Sequence, residues 1–264
     1  MKQAKAYQVI KIASQSHVNL QDNLVIEAPL QININEHPYT VVMRTPGDDN
    51  ELVLGLLYAE DIYRKKEPVY INKTHKYNYN TVLTIKIPKK NLGKGYANKR
   101  TLLSISSCGI CGKTKMNDLQ ISGKAFKTNF KVSPTKIQYM LKKMTLQQKT
   151  FQTTGGSHAC SIFNASANLL VVKEDIGRHN AVDKCIGHLL LKQQLLNAKI
   201  MLVSGRVSYE IVSKAFFAKI PLIIAVSACS SLAVDFAKEF GICLIGFCRN
   251  DKLTIYSNPQ YISQ

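Results

Sequence analysis

The stretch Ile200-Met201-Leu202-Val203-Ser204-Gly205-Arg206-Val207-Ser208-Tyr209-Glu210-Ile211-Val212-Ser213-Lys214-Ala215-Phe216-Phe217-Ala218-Lys219-Ile220-Pro221-Leu222-Ile223-Ile224-Ala225-Val226 decides the fold. A short apolar run (Ile200 to Val203), a glycine turn, an apolar-faced helix from Tyr209 to Ala218 and a second apolar run (Leu222 to Val226) make one strand-helix-strand unit. The same rhythm continues downstream with a helix from Ser231 to Phe240 and strands at Ile242 to Phe247 and Leu253 to Tyr256. Upstream lie strands at His158 to Asn164 and Asn168 to Lys173 and a helix from about Ile176 to Gln193. Repetition of this unit predicts a largely parallel sheet covered by helices on both faces. Ligands of such sheets sit beyond the carboxyl ends of the strands.

Toward the amino terminus the texture changes. Extended runs at Leu24 to Asn35, Tyr39 to Arg44, Thr81 to Ile87 and Leu102 to Ser106 predict a mainly β subdomain. One helix interrupts it, signalled by Asp48 with Glu51 three residues on, a capping-box pattern leading into Leu52-Val53-Leu54-Gly55-Leu56-Leu57. Lys65 to Asn80 and Lys89 to Arg100 are polar and read as loops. Ser133-Pro134 opens a further helix with the periodic Ile137, Met140, Leu141 and Met144. The expected division is residues 1–107 as the mainly β subdomain, 108–132 as a mobile loop and 133–264 as the α/β core.

The chain has 264 residues, 45% of them hydrophobic, and its 35 Lys and Arg against 17 Asp and Glu give a formal charge of +18. This favours polyanionic partners: nucleic acid, an acidic protein face or a phosphate-rich cofactor. Much of the excess falls between Lys86 and Lys149. Met1 to Leu20 contains no apolar signal core, and no run approaches the roughly 18 apolar residues of a membrane span. Seven scattered cysteines do not resemble a secreted disulfide framework, so the reading is cytoplasmic, with reduced thiols.

Two of those cysteines form the only Cys-x-x-Cys, in Ser107-Cys108-Gly109-Ile110-Cys111-Gly112-Lys113. The spacing lets both thiols reach one atom or each other, and Lys99, Arg100, Lys113 and Lys115 could stabilise a thiolate. Four polar clusters fall where the sheet should present its ligand edge. Thr153-Thr154-Gly155-Gly156-Ser157-His158 is a glycine turn that delivers His158 to a strand start. Glu174-Asp175-Ile176-Gly177-Arg178-His179-Asn180-Ala181-Val182-Asp183-Lys184 places more ionisable and amide groups on an opening helical turn than capping requires. Ser204-Gly205-Arg206 combines close backbone approach with a guanidinium suited to bidentate anion contact, and Ser227 to Ser231 is a hydroxyl-rich turn that could cradle phosphate. Phe247-Cys248-Arg249-Asn250-Asp251-Lys252 ends the last parallel strand with two more cations. Serine at a helix start is first of all a cap, so it is the recurrence of these turns at one end of successive units that points to a site.

Together the Cys108 to Cys111 motif, Thr154 to Ala159, Glu174 to Lys184, Ser204 to Ser208 and Ser230 to Asp235 resemble the formate dehydrogenase accessory sulfur carriers, the FdhD family, over about Glu27 to Tyr256. The resemblance implies a cytidine-deaminase-like three-layer α/β core with a smaller β-rich amino-terminal subdomain, and a homodimer. It implies a sulfurtransferase that accepts persulfide sulfur from a cysteine desulfurase. The sulfur then passes to the molybdenum bis(molybdopterin guanine dinucleotide) cofactor, a bound substrate rather than a permanent cofactor, before insertion into formate dehydrogenase. By this resemblance Cys108 carries the persulfide and Cys111 is auxiliary or resolving. The cofactor-contacting segment falls on Phe247, Cys248, Arg249, Asn250, Asp251 and Lys252. The residue chemistry adds Arg206, Ser204, Gly205, Arg178, His179, His158 and Ser230, with Arg206, Arg178 and Arg249 as phosphate ligands.

Three other readings are weighed beside it. Cys108, Cys111, His158 and Cys160 make a formally complete structural zinc set, which the glycine-flanked setting of the pair argues against, so no metal site is expected. A zinc deaminase needs His-x-Glu ahead of a Pro-Cys-x-x-Cys helix start, and neither occurs. Tyr70, Tyr77, Tyr79 and Tyr96 among lysines allow a nucleic-acid-binding module, but neither nucleic acid nor membrane is the expected partner.

Overall fold

The computed structural model describes residues 2–13, 16–65, 69–75, 79–97, 123–127 and 130–263. Cys108, Cys111 and the strand expected at Leu102 to Ser106 lie outside the described residues. Among the described residues no helix is long and apolar enough to cross a membrane.

Among the described residues the central sheet has six strands: β7 (His158–Phe163), β8 (Leu169–Asp175), β9 (Ile200–Val203), β10 (Leu222–Ala225), β11 (Cys243–Arg249) and β12 (Lys252–Ser257). They lie in the order β12-β11-β10-β9-β7-β8. β9, β10 and β11 are parallel neighbours, as their intervening helices dictate. The sheet is nonetheless mixed rather than largely parallel, because β7 runs antiparallel to both β8 and β9, and β12 antiparallel to β11. The reason is loop length. β7 and β8 are joined by a short turn in which Asn164 Oδ1 accepts from Ser166 N and Asn168 N, and so short a connection makes only an antiparallel pair.

Helices cover both faces of this sheet. On one, α4 (Arg178–Leu191), α5 (Tyr209–Phe217) and α6 (Ser231–Glu239) bury Val182, Cys185, Ile186, Ile211, Val212, Phe216, Ala233 and Ala237 against Cys160, Met201, Ile223 and Leu244. On the other, α2 (Pro134–Gln147) lays Ile137, Met140 and Met144 over Leu202, Ile224 and Cys243. Side chains of this size contribute roughly 1.5–3 kcal/mol each when fully buried. A short α3 (Lys149–Thr154) follows α2; its end is set by Gly155 at φ 65°. Glu174 accepts from Thr150 N and Phe151 N in its first turn at 2.8 Å each.

The amino-terminal residues build two further sheets. β1 (Ala4–Ala13) and β2 (Ser16–Val25) form a long, mostly exposed hairpin, ahead of the first extended run expected at Leu24. β3 (Ala28–Ile34) and β4 (His37–Arg44) join β5 (Tyr70–His75) and β6 (Thr81–Lys86) in the order β4-β3-β6-β5. The expected single strand from Leu24 to Asn35 is therefore divided between two sheets, and part of the expected loop from Lys65 to Asn80 is strand β5.

α1 (Asp49–Ala59) forms as expected and buries Leu52, Val53, Leu56 and Leu57 against the four-stranded sheet. Its predicted capping box does not form. Asp48 has φ 53° and makes no cap bond; its carboxylate takes Lys173 Nζ at 2.7 Å instead. α1 crosses α4 so closely that a Cβ at Gly55 would run into the Asp183 carbonyl, and one at Gly187 into the Glu51 carbonyl. These two glycines let the amino-terminal unit dock on the core.

Candidate anion-binding edge of the central sheet

β8, β9, β10 and β11 share one direction, so their carboxyl ends meet at one edge, and antiparallel β7 begins there. His158 pairs with Asp175, Cys160 with Val203, and Val203 with Ala225. The turns beyond the strands are stitched to one another. Ser204 N donates to Ala159 O, Val226 N to Val203 O, Val207 N to Ala228 O, Ser230 N to Val207 O and Phe247 N to Ser227 O, all at 3.0 Å. The four polar clusters and the Phe247 segment expected to converge are thus arrayed along one edge.

At its centre Gly205 faces His158 and Arg178. A Cβ there would stand 3.2 Å from His158 Nδ1 and 3.3 Å from Arg178 Cβ, so glycine keeps the floor between these side chains open. Burial holds the His158 imidazole below its ordinary pKa. The positive charges of Arg178 and Arg206 push the same way, and Asp175 opposes. One ring thus feels both guanidiniums, which marks a locally positive region. Arg178 opens α4, and Arg206 precedes α5 by three residues, so two helix amino termini add to that field.

The rich motif from Glu174 to Lys184 divides into two sets. Asp175 takes Lys184 Nζ at 2.7 Å, Asn180 Nδ2 at 2.9 Å, Gly177 N at 2.8 Å and Thr45 N at 3.1 Å. Lys184 Nζ also donates to Thr45 O at 2.9 Å and Glu174 O at 3.3 Å. Asp183 pairs with Lys214. These residues satisfy one another inside the protein and hold the strand end, the helix start and the amino-terminal unit in register. The other set is Arg178 and His179. His179 Nε2 reaches across to Ser208 Oγ at 3.3 Å and Glu210 Oε2 at 3.2 Å.

Two of the expected serines serve the scaffold. Ser204 Oγ accepts from Ala159 N at 2.9 Å, and Ser230 Oγ caps α6 through Ala233 N at 3.2 Å.

The β11–β12 hairpin builds the last part of the edge. Arg249 pairs with Lys252 across a two-residue turn in which Asn250 (φ 50°) and Asp251 (φ 59°) are both left-handed, as a type I′ hairpin requires. Phe247, at φ 51°, sits in a register break between Gly246 and Arg249 that leaves its ring 40% exposed. Phe247, Arg249, Asn250, Lys252 and Thr254 line a cavity of about 370 Å³. Cys248 does not join the expected contact segment through its side chain, which is wholly buried in the core under α2; burial pushes its thiol up to about 11, so only its backbone can face a ligand. Cys160 of the zinc alternative is likewise inside the core, its thiol well above the ordinary range through burial and contact with Cys185.

Thr254 and the partners of His179 escaped sequence reasoning. Alternation along β12 puts Thr254 on the same face as Lys252, a signal that was available. The Ser208 and Glu210 contacts depend on the crossing of α4 and α5 and left no trace in spacing.

The fold and edge define a mixed α/β protein whose central sheet gathers Arg178, Arg206 and two helix amino termini at one edge. The profile of the FdhD/NarQ family matches residues 25–263. The chain is 37% identical over 262 residues to the sulfur carrier protein FdhD of Sulfolobus acidocaldarius, covering 98% of this chain and 99% of that protein. It is 36% identical over 271 residues to that of Streptomyces coelicolor, covering 97% and 94%. It superposes with a TM-score of 0.77 on the crystal structure of a protein from Desulfotalea psychrophila described as a formate dehydrogenase accessory protein, at 21% identity, covering 99% of this chain and 100% of that one. The chain belongs to the FdhD/NarQ family.

Proposed function

We propose that this protein is a sulfur carrier: Cys108 accepts persulfide sulfur from a cysteine desulfurase and delivers it to a molybdenum bis(molybdopterin guanine dinucleotide) cofactor destined for formate dehydrogenase. The observation that carries this reading is the near full-length similarity to proteins named sulfur carrier protein FdhD. In chemical terms, a desulfurase persulfide gives up its outer sulfur to the Cys108 thiolate, and the donor leaves as a thiolate. Cys111 then serves as an auxiliary or resolving thiol.

The cofactor substrate carries phosphates and guanines. Arg178, Arg206 and the amino termini of α4 and α5 suit the phosphates. The exposed ring of Phe247 beside Arg249, Asn250 and Lys252 suits an aromatic base. Gly205 supplies the open floor, with His158 and Arg178 at its sides.

The reading extends to a cytidine-deaminase-like core (residues 133–264), an amino-terminal β-rich unit (1–107) and a linking Cys-x-x-Cys segment (108–132), working as a cytoplasmic homodimer.

The test is intact and peptide mass spectrometry after incubation with a cysteine desulfurase and free cysteine. A reducible gain of one sulfur on Cys108, absent from Cys108→Ala, is expected. Wild-type protein that gains no sulfur would refute the carrier role.

A further inference from the structure

The β1–β2 hairpin leaves the body of the protein as an arm. It is tied down at its root. There Thr150 Oγ1 donates to Gln3 Oε1 at 2.6 Å, Ile26 N donates to Gln3 O at 2.8 Å, and a Cβ on Gly156 would stand 2.8 Å from Val25 Cγ1. Along the rest of the hairpin only Val9 and Leu20 are even half-buried, and they face each other across it.

Neither strand alternates cleanly, but their register gathers apolar side chains. Directly opposed residues share a face, and the pairing puts Tyr7 and Val9 on the same face as Val18, Leu20 and Leu24. Tyr7 is 45%, Val18 52% and Leu24 46% exposed. The other face is mostly amide and imidazole side chains, with Ile10 and Ile12 toward the tip. The arm is thus amphipathic, and its apolar face stands open to solvent.

Two strands alone are marginal in water, and a hairpin gains stability when its apolar face is covered. That cover has to be present whenever the protein is folded. A partner that comes and goes does not meet this condition, and a second copy of the chain does. Charge points the same way. The chain carries +18, so two copies repel over much of their surface, whereas Ala4 to Val25 holds only Lys5 and Lys11 against Asp22. An acidic protein or a nucleic acid would be drawn to the lysine-rich segments instead. Size fits as well. Two ten-residue strands offer a face roughly 33 Å long and about as many residues as one side of a standard interface. We infer that the β1–β2 hairpin is a dimerisation arm whose Tyr7, Val9, Val18, Leu20 and Leu24 face packs on the same face of a second copy about a two-fold axis. This rests on the homodimer reading above and adds which element makes the contact.

Sedimentation velocity at micromolar concentration tests it. Wild-type protein is expected to run at twice the mass of one chain. In Val18→Glu/Leu24→Glu the new carboxylates stand opposite Lys11 and Lys5, which keeps the hairpin paired while charging its apolar face. The dimer dissociation constant should rise at least about a hundredfold, as for the loss of two central contacts. Ile10→Glu/Ile12→Glu, on the other face, should remain dimeric. Hydrogen exchange on the wild type needs no substitution: the β1 and β2 amides should lose protection when the protein is diluted to monomer. A wild-type monomer would overturn this inference and the homodimer reading together. A dimer that survives Val18→Glu/Leu24→Glu, or one whose hairpin amides exchange freely, would overturn the inference alone.

Discussion

Lys184 Nζ sits 2.7 Å from Asp175 Oδ2 with both side chains wholly buried, and the main chain of Thr45 both donates to Asp175 and accepts from Lys184. One internal ion pair therefore joins strand β8, helix α4 and the segment leading from β4 to α1. The neighbouring Arg178 and His179 owe their positions to it. Candidate ligand-facing charges and structural charges share one motif, separated only by which way each side chain turns.

Removing one member of this pair leaves the other charged, buried and unsatisfied. Lys184→Met and Asp175→Ala are each expected to destabilise the protein by about 3–5 kcal/mol, read as a lower midpoint in urea unfolding. The double variant Asp175→Asn/Lys184→Met should recover part of the loss. A single-variant loss below about 1 kcal/mol would contradict this account.

Gly205→Ala would place a methyl 3.2 Å from His158 Nδ1 and 3.3 Å from Arg178 Cβ, forcing both to yield by a few tenths of an ångström. Guanosine diphosphate binding should weaken roughly tenfold, in keeping with the sensitivity of positioned groups to small displacements. The unfolding midpoint should hardly change. Calorimetry and thermal unfolding on the same sample check both halves.

His158 gives a pH dependence of definite sign. Its folded pKa is lowered by burial and by Arg178 and Arg206, so the unfolded chain binds the proton more readily. Stability from this group is fully present above the unfolded value near 6.5 and is lost as pH falls from there through the folded value. His188, lowered first by burial and also by Lys173, acts in the same direction. Unfolding free energies at pH 5 and pH 7.5 should differ less in His158→Gln than in the wild type. Saturating phosphate should raise the pH at which His158 titrates in NMR, because an anion between the arginines favours the imidazolium.

Gly55→Ala is expected to cost about 1–3 kcal/mol through overpacking against the Asp183 carbonyl, and Gly187→Ala a similar amount against Glu51. Unfolding curves measure both. A neutral Gly55→Ala would mean that α1 and α4 can separate freely.

The strand-helix rhythm from His158 onward was legible because each element is long, apolar on one side and bounded by a turn. The convergence of the turns followed from it. What failed had physical causes. The orientation of β7 depends on the short Asn164 turn rather than on its own residues. The β1–β2 hairpin is exposed on both faces and carries no clean alternation of burial to read. Asp48 looked like a helix cap but is drawn to Lys173, a partner 125 positions away. In the Glu174 to Lys184 motif the residue types announced importance without saying which charges face inward. At Phe247 to Lys252 the residue types gave no sign of the register break that turns Cys248 inward, which is a tertiary effect.

The clamp at Thr45 also orders events in time. Thr45 and Asp175 are 130 positions apart, so their contact closes one of the longer loops in the chain, and that closure must be achieved before the bonds it enables can reward it. A partly folded chain that has built β8 through β11 but has not yet docked its amino-terminal unit carries Lys184 and Asp175 without their Thr45 partners and α4 without its anchor. On the proposed reading, ligand binding is expected only in molecules whose amino-terminal unit has docked through Thr45.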